Sequence, residues 1–166
     1  MKYFIIVLLA IITLNGFAQQ KANNGYQVKI VRFEELEKVL NKNDGKLYVV
    51  NFWATWCRPC VLELPEFMDV NKAYRSNQHF KMILISLDMA KDAKTLVRPF
   101  LIKNKIDVDV YLLDDNKRMN EWIPAIDKSW SGAIPATVFY KNGKKLEFIE
   151  SQLNKKELEQ IINKYL

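Results

Sequence analysis

The chain reads as an α/β domain: a mixed central sheet with helices on both faces, closed by a C-terminal antiparallel hairpin and a last helix. Three observations predict this. Strand-like and helix-like stretches alternate in the order β-α-β-α-β-α-β-(α)-β-β-α, which places helices on both sides of one sheet. The runs Leu47–Trp53 and Phe80–Leu87 are almost continuously apolar, the pattern of strands covered on both faces. Asn142-Gly143 separates two strand-like runs and is a type I′ hairpin signal, so the last two strands are antiparallel.

The first residues stand apart from the domain. Lys2 precedes the apolar run Tyr3 to Leu14, and small residues follow at Gly16 and Ala18, the pattern of a cleavable secretory signal over residues 1–18. A spanning helix needs about 20 apolar residues, so retention as a membrane anchor is the lesser alternative. No cysteine lies near the cleavage point, which argues against lipid attachment there. Residues 19–25 are polar and read as a flexible lead, and 26–166 as one domain. Export to the periplasm is the expectation, and that compartment permits disulfides.

Within the domain, Tyr26 to Val31 is a short strand. Phe33, Leu36, Val39 and Leu40 share one face of a helix that Asn43-Asp44-Gly45 ends. The Leu47–Trp53 strand runs through a short turn into a helix carrying Leu62, Leu64, Phe67, Met68, Val70 and Tyr74. Pro65 inside it is expected to kink it. The strand Phe80–Leu87 ends at Asp88. A helix from about Asp92 to Lys103 follows, with Pro99 a second expected kink, then a strand over Val108–Leu113. Between Asp114 and Gly132 a short helix around Met119–Ile123 gives way to loop. Ala136–Tyr140 and Lys145–Glu150 form the hairpin. The last helix starts at Asn154, with Glu157 placed for a capping box, and buries Leu158, Ile161, Ile162 and Tyr165.

The composition is that of a globular protein: 49% hydrophobic and 27% charged, with a net charge of +6. The lysines are interleaved with acidic residues and no basic helix face dominates, so nucleic acid is not an expected partner.

Chemistry concentrates at Cys57-Arg58-Pro59-Cys60, where a buried strand turns into a helix. Unsatisfied N–H groups at a helix N-terminus favour an anion. A thiolate at Cys57 is such an anion, and its pKa is expected below the roughly 8.5 of free cysteine. Cys60 lies one turn further in, within reach of a mixed disulfide at Cys57. Pro59 lacks an N–H and suits the first turn, and Arg58 adds positive charge. The alternatives are a structural disulfide or half of a zinc site. Most structural zinc sites need four ligands, and the chain holds two Cys and one His. No metal is therefore expected. The histidine, His79, reads as an exposed loop residue. Trp53 and Trp56 are expected to form an aromatic docking platform beside the cysteines.

That order of elements, with Trp56-Cys57-x-x-Cys60 after the central strand and Ile134-Pro135 before the hairpin, resembles the thioredoxin fold. Within it the chain is similar to exported TlpA/ResA-type thiol–disulfide oxidoreductases. The stretches carrying the likeness are Asn51 to Cys60, then Glu63 and Pro65, then Gly132 to Thr137. The resemblance implies Cys57 as attacking thiol, Cys60 as resolving thiol, and a cis Ile134–Pro135 bond facing them. There the backbone pairs with an extended substrate segment, and Trp56, Arg58, Pro59, Ile134 and Pro135 are the expected contact residues. The resemblance also implies that the proline keeps metals off the cysteines.

Thioredoxins carry a buried Asp where this chain has Asn51. The resemblance moves its proton-handling role to Glu63, one turn beyond Cys60, as a half-buried acid with a raised pKa; a solvated helix glutamate is the alternative. Residues 114–132, with Trp122 and Trp130, form the segment in which family members differ and where a partner would be read, although tryptophans of this kind more often pack in a core.

The expected function is exchange of the Cys57–Cys60 pair with cysteines or disulfides of protein substrates, as a reductant recharged by a membrane thiol–disulfide electron donor. Cytochrome c maturation is the setting the resemblance implies. No cofactor is expected. The alternatives are a non-catalytic binding or chaperone module, and a thiol peroxidase, for which Thr55 and the paired cysteines are a partial match.

Overall fold

The computed structural model describes residues 26–166, so the signal-peptide and flexible-lead readings lie outside the described residues. A six-stranded sheet is ordered β1-β4-β3-β2-β5-β6. Its strands are β1 (Val28–Val31), β2 (Leu47–Trp53), β3 (Phe80–Ser86), β4 (Asp109–Leu113), β5 (Ala136–Lys141) and β6 (Lys144–Ile149). β1 pairs with β4, β4 with β3 and β3 with β2 in parallel; β5 pairs antiparallel with β2 and β6.

All seven β2 residues are buried, because helices cover both faces. Tyr48, Val50 and Phe52 meet α1 (Phe33–Leu40) through Leu36 and Leu40, and α4 (Met119–Ile126) through Trp122 and Ile126. The alternate residues Leu47 and Val49 meet α2 (Arg58–Tyr74) and α5 (Lys155–Tyr165), while Trp53 meets α2 and α3 (Arg98–Lys103). The period-two alternation of a strand thus sorts one sequence into two cores.

The local signals act as their chemistry requires. Asn142 (φ 53°) and Gly143 (φ 70°) both take the left-handed conformation of a type I′ turn. Asn154 caps α5: its side chain accepts the Glu157 N–H at 3.0 Å, and Glu157 accepts the Asn154 N–H at 2.9 Å. Such a cap stabilises by about 1 kcal/mol.

Several expected elements shift. The first strand begins at Val28 rather than Tyr26, β3 stops at Ser86, and β4 begins at Asp109. The helix expected over Asp92–Lys103 is three geometries in series: a 3-10 turn Ala90–Asp92, a π-helical turn Ala93–Val97, then α3. Pro99 explains it. Its missing N–H and its ring are incompatible with a regular α-turn upstream, and widening that turn accommodates both. α2 runs continuously from Arg58 to Tyr74 through Pro65, which is exposed. α4 likewise continues through Pro124 to Ile126, past the Ile123 expected from sequence, because Trp122 and Ile126 are both buried on its inner face.

Among the described residues no helix is long and apolar enough to cross a membrane.

Candidate active site

β2 ends at Trp53, and Ala54-Thr55-Trp56 turns the chain into α2 with Cys57 as its N-cap. The turn is held from the next strand. The Asp88 carboxylate accepts the Thr55 N–H at 3.1 Å, the Thr55 hydroxyl at 2.6 Å and the Ser86 hydroxyl at 2.7 Å. Asp88 is 2% exposed, so these bonds satisfy a charge that burial would otherwise make costly. Sequence reading passed over Asp88 as a strand terminator; its partner Thr55 is too distant in sequence for any local pattern to show the bond.

Cys57 and Cys60 are joined by a disulfide with their Cα atoms 5.3 Å apart. The Cys60 N–H donates to Cys57 Sγ at 3.3 Å, one of the N-terminal donors expected there. Cys57 keeps 6% of its surface exposed and Cys60 none, so an incoming sulfur reaches Cys57 first. Cys57 Sγ lies 3.6 Å from the Ile134 carbonyl oxygen, and the Ile134–Pro135 bond is cis. The two motifs distant in sequence therefore meet. Arg58 and Pro59 are exposed on the first turn, Ile134 is half-buried and Pro135 is buried.

Glu63 is inside the protein, 3% exposed. Its Oε1 accepts the Asn51 amide Nδ2–H at 2.8 Å, and its Oε2 accepts the Leu153 backbone N–H at 3.0 Å. Asn51 Nδ2 also donates to Thr137 Oγ1 at 3.1 Å. Burial pushes the Glu63 carboxyl up to about 7, against the opposing pull of the bonds from Leu153 and Asn51. A solvated helix glutamate would show none of these features.

A groove of about 540 Å³ opens beside the disulfide, lined by Trp56, Met89, Leu96, Met119, Gly132 and Ile134 among others. Four of its side chains are strongly exposed apolar groups: Trp56 67%, Met89 55%, Leu96 53% and Met119 39%. Sequence reading missed Met89 and Leu96, which a turn and a π-helical segment carry to the rim.

The two tryptophans expected in an aromatic platform part company. Trp56 is exposed, but Trp53 is fully buried against Phe100, ring centroids 5.2 Å apart, because it lies on the β2 face that α3 covers. Trp122 and Trp130 are core residues, the latter 4.8 Å from the Phe52 ring. Residues 114–132 still reach the groove through Asn116, Met119, Trp122 and Gly132. His79 is exposed and remote from the disulfide on the β3 entry loop.

Comparison with known proteins agrees with this geometry. The family profile described as AhpC/TSA matches residues 15–149. The chain is 27% identical over 105 residues to sporulation thiol-disulfide oxidoreductase A of Bacillus subtilis, covering 63% of this chain and 63% of that protein. It is 28% identical over 141 residues to thiol-disulfide oxidoreductase ResA of Oceanobacillus iheyensis, covering 83% of this chain and 68% of that one. The match to the first thus spans a little under two thirds of that relative's length. A thioredoxin-family thiol:disulfide interchange protein from Chlorobium tepidum superposes with a TM-score of 0.61 at 23% identity, covering 78% of this chain and 83% of its own. The fold is thioredoxin-like, and the chain belongs to the AhpC/TSA family.

Proposed function

We propose that this protein is an exported thiol–disulfide oxidoreductase that reduces disulfides of protein substrates through Cys57 and Cys60. The observation that carries the reading is Cys57 itself. It is an N-cap sulfur with a sliver of exposure, accepting the Cys60 N–H and abutting the Ile134 carbonyl.

In the reduced enzyme the Cys57 thiolate attacks one sulfur of a substrate disulfide. That disulfide breaks, a bond forms between Cys57 and the attacked sulfur, and the other substrate sulfur leaves as a thiolate that takes up a proton. Cys60 then attacks the Cys57 sulfur and releases the second substrate thiolate. Two electrons and two protons have passed to the substrate. Cys60 is fully buried and must lose its proton to react. Glu63, one helical turn away and titrating at about 7, is the group suited to receive it.

Two features support the reductive direction. Strong oxidants of this fold are those whose reduced form is stabilised. Here the helix N-terminus favours the Cys57 thiolate, but the Ile134 carbonyl oxygen faces the same sulfur and opposes it. The resemblance to TlpA/ResA-type proteins points the same way and implies a membrane electron donor and a client in cytochrome c maturation. The N-terminal pattern of residues 1–18 supports export. The apolar groove then takes the substrate segment that flanks the target cysteine, with Trp56 and Ile134 at its cysteine end.

Trapping tests the reading. Reduced Cys60→Ser protein mixed with a disulfide-bonded peptide accumulates a peptide adduct on Cys57, wild type turns over, and Cys57→Ser does neither. A wild-type protein that binds the peptide without reducing it, with binding retained in Cys57→Ser, makes the chain a binding module instead.

A further inference from the structure

The connection between β6 and α5, residues 150–154, crosses the active site. The Glu150 carboxylate accepts the Ser131 N–H at 3.1 Å, the Ser131 hydroxyl, and the Ala133 N–H at 3.1 Å. Two residues on, Gln152 Nε2 donates to the Pro59 carbonyl at 2.8 Å, inside the cysteine motif. Leu153 N–H then binds Glu63. Ala133 is pinned a second time, since its carbonyl accepts Trp130 Nε1–H at 2.8 Å. With its N–H held by Glu150 and its C=O by Trp130, Ala133 has little freedom, and Ile134 is the next residue.

We infer that Glu150 is a positioning residue for thiol exchange: it clamps the 131–133 loop and so fixes the Ile134 backbone against Cys57 Sγ. The inference rests on the exchange reading above. All three donors from residues 131 and 133 reach Glu150 Oε1, and the Ser131 N–H also reaches Oε2 at 3.1 Å. A carboxylate suits the task because its negative charge strengthens each of these bonds. An amide keeps one acceptor oxygen but loses that charge, and its NH₂ would face the Ser131 N–H.

Two consequences separate positioning from mere stability. A loosened Ile134 carbonyl opposes the Cys57 thiolate less, so Cys57 becomes reactive at lower pH. A loosened Ile134 backbone also pairs less well with an extended substrate, which raises KM more than it lowers kcat.

The test measures kcat and KM on a disulfide-bonded peptide, together with the pH profile of Cys57 alkylation by iodoacetamide in the reduced protein. Wild type, Glu150→Gln, Ser131→Ala and the double variant are compared, each with its urea midpoint. Glu150→Gln is expected to lower kcat/KM on the order of tenfold, chiefly through KM, and to move the alkylation profile to lower pH. Ser131→Ala keeps both backbone N–H bonds to Glu150 while losing the hydroxyl's bond to Glu150 and its 3.3 Å contact with the Ala133 N–H. It therefore gives a smaller change of the same sign, and the double variant falls short of the product of the two. The clamp is refuted if the profile and KM of both single variants stay within about twofold of wild type, or if lost activity follows the urea midpoint with no shift in the profile. Wild type inactive on the peptide would instead overturn the exchange reading.

Discussion

Glu63 Oε1 and Asn51 Nδ2 lie 2.8 Å apart across the contact between α2 and β2, and both side chains are buried. An acid is thus paired with a neutral amide rather than a cation, so the bonds from Asn51 and Leu153 only partly offset the cost of burial and its pKa rises. Among the described residues Asn51 Oδ1 has no hydrogen-bond partner.

The first prediction concerns stability against pH. The Glu63 pKa is raised from 4.5 to about 7 in the folded protein. Its contribution is therefore fully present below about 4.5 and is lost as pH rises through 7. At 1.36 kcal/mol per unit, wild type loses about 3 kcal/mol over this window relative to Glu63→Gln. Urea unfolding of the oxidised proteins at several pH values checks it, and parallel curves contradict it.

On the proposed mechanism the same substitution removes the proton acceptor for Cys60. Glu63→Gln is expected to slow release of the mixed disulfide on the order of a hundredfold at neutral pH, the low end for positioned proton transfer. The first attack by Cys57 changes much less. Stopped-flow mixing with a disulfide-bonded peptide resolves the two phases, and equal slowing of both contradicts the assignment.

Asp88→Ala leaves the donors of Thr55 and the buried Ser86 hydroxyl without their acceptor. A loss of about 2 kcal/mol is expected, chiefly from the Ser86 hydroxyl, because an unpartnered buried polar group costs about 1–3 kcal/mol whereas the part-buried Thr55 donors can turn to water. Asp88→Asn retains one acceptor oxygen and falls between. Urea midpoints give the ranking.

Trp56 is 67% exposed, so Trp56→Ala is expected to change stability by less than about 0.5 kcal/mol. If the groove takes substrate, the substitution lowers kcat/KM about tenfold for peptides with apolar residues beside the cysteine. A polar-flanked peptide shows a smaller effect. Equal losses on both peptides contradict a role for the groove.

The parts of the site legible in sequence are those written in contiguous residues. Cys57 to Cys60 follows a buried strand, Ile134-Pro135 precedes a hairpin, and Glu63 falls one turn beyond Cys60. The parts that were not legible depend on which face a helix covers, or on bonds between distant residues. Trp53 and Trp56 look alike as sequence, but strand alternation and α3 bury the first. Pro99 marks a disturbance without saying that a π-helical turn resolves it. The helix expected around Met119–Ile123 runs on through Pro124, because the buried pair Trp122 and Ile126 carries α4 past it. Asp88 with Thr55, and Glu150 with Ser131, are joined by the fold alone.

The central claim is that Cys57 and Cys60 form a reversible couple poised for reduction. Its most direct test is an equilibrium titration against a dithiol buffer, followed by tryptophan fluorescence and thiol trapping. The account predicts a two-electron transition near or below about −220 mV with the domain folded throughout. A value near about −120 mV would make the protein a disulfide-forming oxidant, and a pair reducible only on unfolding would make the disulfide structural.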